Sequence, residues 1–189
     1  SGMTAIDPDT PPSRPQRRPV DILIRHPRAA AFVAGVVAAT GFAPLGFWFG
    51  TLIGLAAVLH LIAHSGSARQ AAWRGWLFGV GLFVLGLNWI ATAFTYQAAM
   101  PAWLGWVAVV LLSLFLALYP ALAAGIGWRV GGVSRRATTP VVTWPLILAV
   151  AGAWVLAEWL RAWVLTGFAW NPLGAVLVAH QSAPLLLAG

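Results

Sequence analysis

Long apolar runs separated by short polar breaks set the pattern of this chain from about residue 29 onward. The first run, Ala29 to Ala43, is short and is punctuated by Pro44. A second extends from Leu45 to Ala63, and "HSGSARQAA" (64–72) follows as a polar loop. A third covers Trp73 to Phe94 and ends in the loop "TYQAAMPA" (95–102). A fourth runs from Trp103 to Trp128 and a fifth from Val141 to Leu165, with "RVGGVSRRATTP" between them as the longest internal loop. After the turn-rich "TGFAWNPLG" the chain becomes apolar again toward Gly189, as the start of a sixth helix would. About twenty apolar residues cross the hydrocarbon core of a bilayer, so four of the five runs are long enough and the first must borrow flanking residues. The expected fold is all-α: a polytopic transmembrane helix bundle over residues 29–189, with five spans plus the start of a sixth, truncated at its C-terminal end.

Residues 1–28 are of a different kind. "SGMTAIDPDTPPSRPQRRPVDILIRHPR" is rich in proline and arginine and holds three of the four acids. Such a segment cannot build a core and is expected to be a disordered, basic, cytoplasmic tail. The leading Ser1–Gly2 before Met3 reads as an expression scar, and the first apolar run as a retained signal anchor in preference to a cleaved signal.

Composition sharpens this picture. The chain is 60% hydrophobic and 8% charged, against about a quarter charged in soluble domains. All eleven basic residues are arginine. They sit in the tail (Arg14, Arg17, Arg18, Arg25, Arg28), after the second run (Arg69, Arg74), after the fourth (Arg129, Arg135, Arg136) and at Arg161, whereas the connections at Pro44 and 95–102 carry no charge. The positive-inside rule then places the N-terminus and the even loops in the cytoplasm, so the fifth run travels outward. The same placement, off any amphipathic face, argues against nucleic acid as a partner. The absence of cysteine excludes a disulfide framework, a thiolate metal site and a cysteine nucleophile within these residues. The absence of lysine excludes amine-based covalent catalysis. No cofactor is implied.

Small and aromatic residues add detail. Gly46, Gly50 and Gly54 are spaced to share one helix face, and Gly75 and Gly79 another, which suits close helix packing. "GVG" at 79–81 follows no strand and precedes no GK[ST], so it is not a phosphate loop. Trp73, Trp103, Trp128 and Trp144 fall near predicted span ends, where interfacial rings belong. Trp154, Trp159, Trp163 and Trp170 instead crowd one short region.

That region holds the main candidate for chemistry. Glu158 is the sole glutamate and the only acid after Asp21, and Arg161 follows three residues later on the same helical face. Charge inside a bilayer costs a few kcal/mol and is usually retained for a purpose. Two readings stand open. The pair is a structural tie between the fifth helix and its neighbours; or Arg161 receives a phosphate or carboxylate of a lipid near the outer leaflet, oriented by Glu158, a task that suits a planar guanidinium. A lone carboxylate lacks the partner that two-acid hydrolysis needs. Asn88 and Trp89 fall in the same outer half, where Asn88 either bonds a neighbouring helix or shares a cavity with Glu158. His60 and His64 have i, i+4 spacing but no acid or cysteine nearby, and read as an interfacial pair and not a metal site. His26 lies in the tail and His180 has no identifiable partner. No Ser-His-Asp set can be assembled, since every aspartate is in the tail.

Two stretches together resemble a known family. "GWLFGVGLFVLGLNW" (75–89) and "EWLRAWVLTGFAWNPLG" (158–174), with the short "FAPLGFW" connection before them, resemble the membrane domain of apolipoprotein N-acyltransferase. The family has a glycine-rich third helix ending in Asn-Trp and a Glu-x-x-Arg-x-x-x-x-x-Gly-Phe-x-Trp motif. The resemblance spans roughly residues 29–189, and Ala169 departs from it where the family often has proline. It implies a bacterial inner-membrane enzyme that moves an acyl chain from a phospholipid to the N-terminal amine of a diacylglyceryl-cysteine lipoprotein. It also implies a cysteine, a glutamate and a lysine as catalytic groups, in a periplasmic nitrilase-like domain of the same polypeptide. None of these falls within this chain, and Glu158 is not that glutamate, so the chain alone is expected to be inactive. The lipid-contact candidates it offers are Glu158, Arg161, Asn88, Trp89, Thr166, Gly167, Phe168 and Trp170. The alternative is a stand-alone lipid-binding or scaffold protein without catalysis. A small transporter is a further competitor, although no inverted repeat supports it.

Overall fold

The computed structural model describes residues 23–42, 45–96, 101–132 and 141–164, together with Leu173 and Val176. Within these, seven helices are labelled here in chain order: α1 (Pro27–Ala39), α2 (Trp48–Ala63), α3 (Ala68–Gly86), α4 (Asn88–Thr95), α5 (Ala102–Leu116), α6 (Leu118–Val130) and α7 (Trp144–Val164). The described residues contain no strand. The all-helical expectation therefore holds.

Among the described residues three helical stretches are long and apolar enough to cross a membrane: 28 residues from Ala68 to Thr95, 29 from Ala102 to Val130, and 21 from Trp144 to Val164. The sequence pattern suggested four. The difference lies in the second run, because residues 45–47 belong to the connection and α2 is only 16 residues long. At 1.5 Å per residue, α2 reaches about 24 Å, short of a ~30 Å hydrocarbon core.

Both longest stretches are jointed, and each joint has a local cause. Pro120 has no N–H to donate to the Leu116 carbonyl, so the helix is interrupted between α5 and α6. Ala121 N–H still bonds the Ala117 carbonyl at 3.1 Å, which keeps the axis running. Between α3 and α4 the joint falls at Leu87, just after Gly86, a poor helix former. The start of α3 is capped by Ser67, whose Oγ accepts from Gln70 N–H at 3.2 Å. The Gln70 Oε1 reaches back to accept from Gly66 N–H at 2.6 Å, a reciprocal arrangement close to a capping box.

Helix α3 is central and packs against α1, α2, α5 and α6, while α7 lies chiefly along α6. Without water to drive association, helices in lipid gain most where small residues let backbones touch. A Cβ on Gly35 would sit 2.0 Å from the Phe78 carbonyl, and one on Gly81 would sit 2.2 Å from the Phe32 carbonyl, so α1 and α3 meet backbone to backbone. Gly75 and Gly79 share a face as expected, and it is the face against Ala117, Pro120 and Ala124. Gly50 and Gly54 face α1, but Gly46 does not join them. It lies before α2 with φ +64°, a turn conformation that glycine adopts freely.

Helix ends sort into two sets. The starts of α1, α3 and α7 and the ends of α2 and α6 gather at one end of the bundle. Pro27 and Arg28 border the same recess as Gly66–Gln70, Trp128 Nε1 donates to the Ser65 carbonyl at 3.0 Å, and Gly131 lies against Leu146. Every described arginine from Arg25 to Arg129 belongs to this end. Glu158 and Arg161 lie toward the other.

Candidate functional site

Helix α7 carries a buried stripe of Leu146, Val150, Ala153, Ala157 and Arg161. Its apolar members follow the spacing that packs a helix on a neighbour. Arg161 continues the stripe and is therefore carried inward. Its side chain is only 4% exposed, whereas that of Glu158 is 25% exposed.

The Arg161 Nη2 lies 3.9 Å from Glu158 Oε1, close enough for attraction but too far for a hydrogen bond. Its guanidinium carbon stands 5.3 Å from the centroid of the Phe83 ring on α3, within cation–π range. Glu158 Oε1 has a second task, accepting from the backbone N–H of Leu173 at 3.0 Å. The carboxylate thus ties the chain beyond α7 back onto the helix. One oxygen serves both partners, and the geometry favours the N–H.

Beside this pair is a cavity of about 480 Å³ walled by α2, α3, α6 and α7. Its described lining is apolar, including Val58, Phe78, Ala124, Val150 and Ala151, with Glu158 as the only charged residue among the described residues that line it and Leu173 beside it. Along α7 it extends from Ile147 to Glu158, about 16 Å at 1.5 Å per residue. This volume lies within the range of ligand pockets, roughly 300–1,000 Å³. Trp154, which also lines the cavity and stands edge-on to Phe78 at 6.0 Å, has a buried Nε1 with no hydrogen-bond partner among the described residues. A buried donor left unpaired is expensive, and such groups merit a reason.

The other sequence candidates fall elsewhere or outside the description. Asn88 opens α4 with an exposed side chain; it does not line the cavity that Glu158 lines. Trp89 is 51% exposed on the outer surface. Thr166, Gly167, Phe168 and Trp170 lie outside the described residues. His64 Nδ1 donates to the His60 carbonyl at 2.8 Å, and the two rings lie 4.1 Å apart.

A second arginine is buried as well, although its place near a span end marks it in the sequence only as an orientation signal. Arg74 is 7% exposed. Its Nη1 donates to the carbonyl of Leu61 and, at 3.1 Å, to Ser65 Oγ. Its signal was its depth: it lies seven residues beyond the Ser67 cap, well inside an apolar helix.

Comparison with known proteins follows the same lines. A family model described as the apolipoprotein N-acyltransferase N-terminal domain matches residues 34–186. The chain is 36% identical over 175 residues to the apolipoprotein N-acyltransferase of Chromobacterium violaceum, covering 92% of this chain and 31% of that protein. It is 39% identical over 163 residues to that of Caulobacter vibrioides, covering 85% and 29%. It is 38% identical over 151 residues to that of Vibrio vulnificus, covering 80% and 28%. The chain thus spans about three tenths of the length of these curated relatives.

Proposed function

The chain belongs to the apolipoprotein N-acyltransferase family, and from that premise we propose that it is the membrane platform of such an enzyme. The enzyme transfers an acyl chain from a membrane phospholipid to the N-terminal amine of a diacylated lipoprotein. Its thioester chemistry is the work of a nitrilase-like domain outside these residues, since the sequence holds no cysteine or lysine. The platform lies in the bacterial inner membrane with its arginine-rich end in the cytoplasm, which the positive-inside rule supports. Glu158 and Arg161 then stand toward the periplasmic half.

The observation that carries this reading is the apolar cavity beside Glu158. Its elongated shape and lining suit an alkyl chain, and the carboxylate at one end marks the level where polar headgroups begin. Of the two roles left open for the pair, burial favours the brace. Arg161 is enclosed against Phe83 and holds Glu158, which in turn holds Leu173 at the mouth of the cavity. Lipid contact passes to Glu158 and the cavity wall.

Filling the cavity tests the reading in the full-length enzyme. Ala151 lines the cavity yet is exposed, so Ala151→Trp can occupy the space without disturbing the core. Acyl-enzyme formation from phospholipid is expected to fall severalfold, with membrane insertion and expression unchanged. Undiminished acyl-enzyme formation would remove the cavity from the reaction.

A further inference from the structure

The arginine-rich end of the bundle holds charge that the proposed acyl transfer does not use. Arg69 in the first turn of α3 and Arg129 in the last turn of α6 are both exposed. They border one groove of about 620 Å³ between these helices, whose walls include Ala72, Leu118, Leu122 and Ile126. Arg69 also borders an adjoining groove of about 440 Å³ with Trp73 and Trp76, whose rings stack at 5.1 Å and 19°. On its other side Arg69 meets a recess of about 630 Å³ shared with Arg28 and Gln70. One arginine thus stands at the junction of three recesses.

No described group at this end neutralises these cations. Among the described residues the only carboxylate is Glu158. Close approaches of Gly127 to Val150 and Gly131 to Leu146 set α6 and α7 antiparallel, which puts Glu158 level with about Tyr119. From there to Arg129 is about 15 Å along the helix axis. Arg74 nearby is committed to Leu61 and Ser65. What remains is a pair of guanidinium groups at the mouth of a long apolar groove, flanked by stacked tryptophans. A soluble anion would leave the groove unexplained, and a neutral lipid would leave the arginines unexplained.

We propose that this groove binds an anionic phospholipid, with its phosphate between Arg69 and Arg129 and an acyl chain along the α3–α6 seam. Guanidinium groups pair with phosphate oxygens through charge-assisted hydrogen bonds, and basic pockets between membrane helices suit anionic headgroups. The site is separate from the cavity beside Glu158, so either can fail without the other.

Native mass spectrometry of the full-length protein in mild detergent, relipidated with dioleoylphosphatidylglycerol or dioleoylphosphatidylcholine, tests the assignment. The wild type should retain phosphatidylglycerol in preference to phosphatidylcholine. The double variant R69Q/R129Q should lose that preference by about fivefold per arginine, about twenty-five-fold for both, whereas R69K/R129K should keep most of it. Ala121 lines both apolar grooves, so Ala121→Phe should lower phosphatidylglycerol retention with every arginine in place. If the double variant fails to fold, R129Q and Ala121→Phe decide the question. Equal retention of the two lipids by the wild type overturns the proposal, as does unchanged preference in R69Q/R129Q. So does displacement of the lipid by glycerol 3-phosphate at equal concentration, which would mark a phosphate site without a lipid groove.

Discussion

Two of the described arginines are buried to nearly the same degree, and they are accommodated in opposite ways. Arg74, at the arginine-rich end, donates to neutral oxygens: the Leu61 carbonyl in the last turn of α2 and the Ser65 hydroxyl just beyond it. Arg161, toward the other end, lies 3.9 Å from a carboxylate and over the face of Phe83. The last carbonyls of a helix have no partner within it and carry its negative dipole end, so a cation there satisfies two needs at once. Arg74 therefore works as a cap for α2 that comes from α3. Ser65 and Trp128 extend the same knot, because Ser65 Oγ donates to the Leu61 carbonyl at 3.0 Å and its own carbonyl accepts from Trp128. Arg161 has a looser setting, with one carboxylate oxygen shared between it and the Leu173 N–H. Fixed neutral acceptors make a rigid joint, whereas a shared carboxylate leaves room for rearrangement beside the cavity.

The largest effect should come from the rigid joint. Arg74→Leu leaves the Leu61 carbonyl with one partner fewer and Ser65 without its donor, within a tightly packed region. Hydrogen bonds from charged donors contribute about 1.5–3 kcal/mol each, so a loss of roughly 2–4 kcal/mol is expected after side-chain repacking. Denaturant unfolding in detergent micelles would measure it, with Arg74→Lys restoring part of the loss. A Leu variant as stable as the wild type would mean that Arg74 serves orientation alone.

How far the sequence made these features legible follows from what kind of signal each leaves. Apolar run length revealed the helices, because the bilayer demands a minimum length whatever the packing. It overstated α2, where nothing in "LGF" at 45–47 announces a connection until the positive φ of Gly46 is known. Glu158 and Arg161 stood out because charge is rare there. Their partners did not, since Phe83 and the Leu173 N–H carry no mark in sequence and depend on how α7 rotates against α3. The Ser67–Gln70 cap does have a sequence mark, its S-x-x-Q spacing, but it stands in a polar stretch whose composition reads as loop. The role of Arg74 is hidden for a physical reason: an arginine near a span end usually reports topology, and only the turn between α2 and α3 aims this one at a carbonyl.

The Glu158 carboxylate offers a sharper division of the comparison. Glu158→Ala removes both the charge opposite Arg161 and the acceptor for Leu173, and should cost about 1–3 kcal/mol. Glu158→Gln keeps an oxygen for the Leu173 N–H and loses only the charge. If the hydrogen bond dominates, as the 3.0 Å and 3.9 Å distances imply, the Gln variant should recover more than half of the loss in the same unfolding measurement. Equal losses for Ala and Gln would assign the role to the ion pair and widen the contrast with Arg74, whose acceptors are neutral.

The smallest effect isolates the ring beneath Arg161. Phe83 is 1% exposed, so Phe83→Leu changes packing as well as the guanidinium contact, and a single substitution cannot separate them. A double-mutant cycle with Arg161→Met does, because Met keeps an unbranched stem and drops the charge. A desolvated cation–π contact predicts a coupling energy of about 0.5–2 kcal/mol between the two positions. Arg74 has no described ring partner of this kind, so the equivalent cycle of Arg74→Met with Phe83→Leu should give no coupling and serves as the internal reference. Zero coupling at Arg161 as well would leave the Glu158 carboxylate and Tyr119 as its favourable partners among the described residues, and variants at those two positions would then have to account for the cost of burying it.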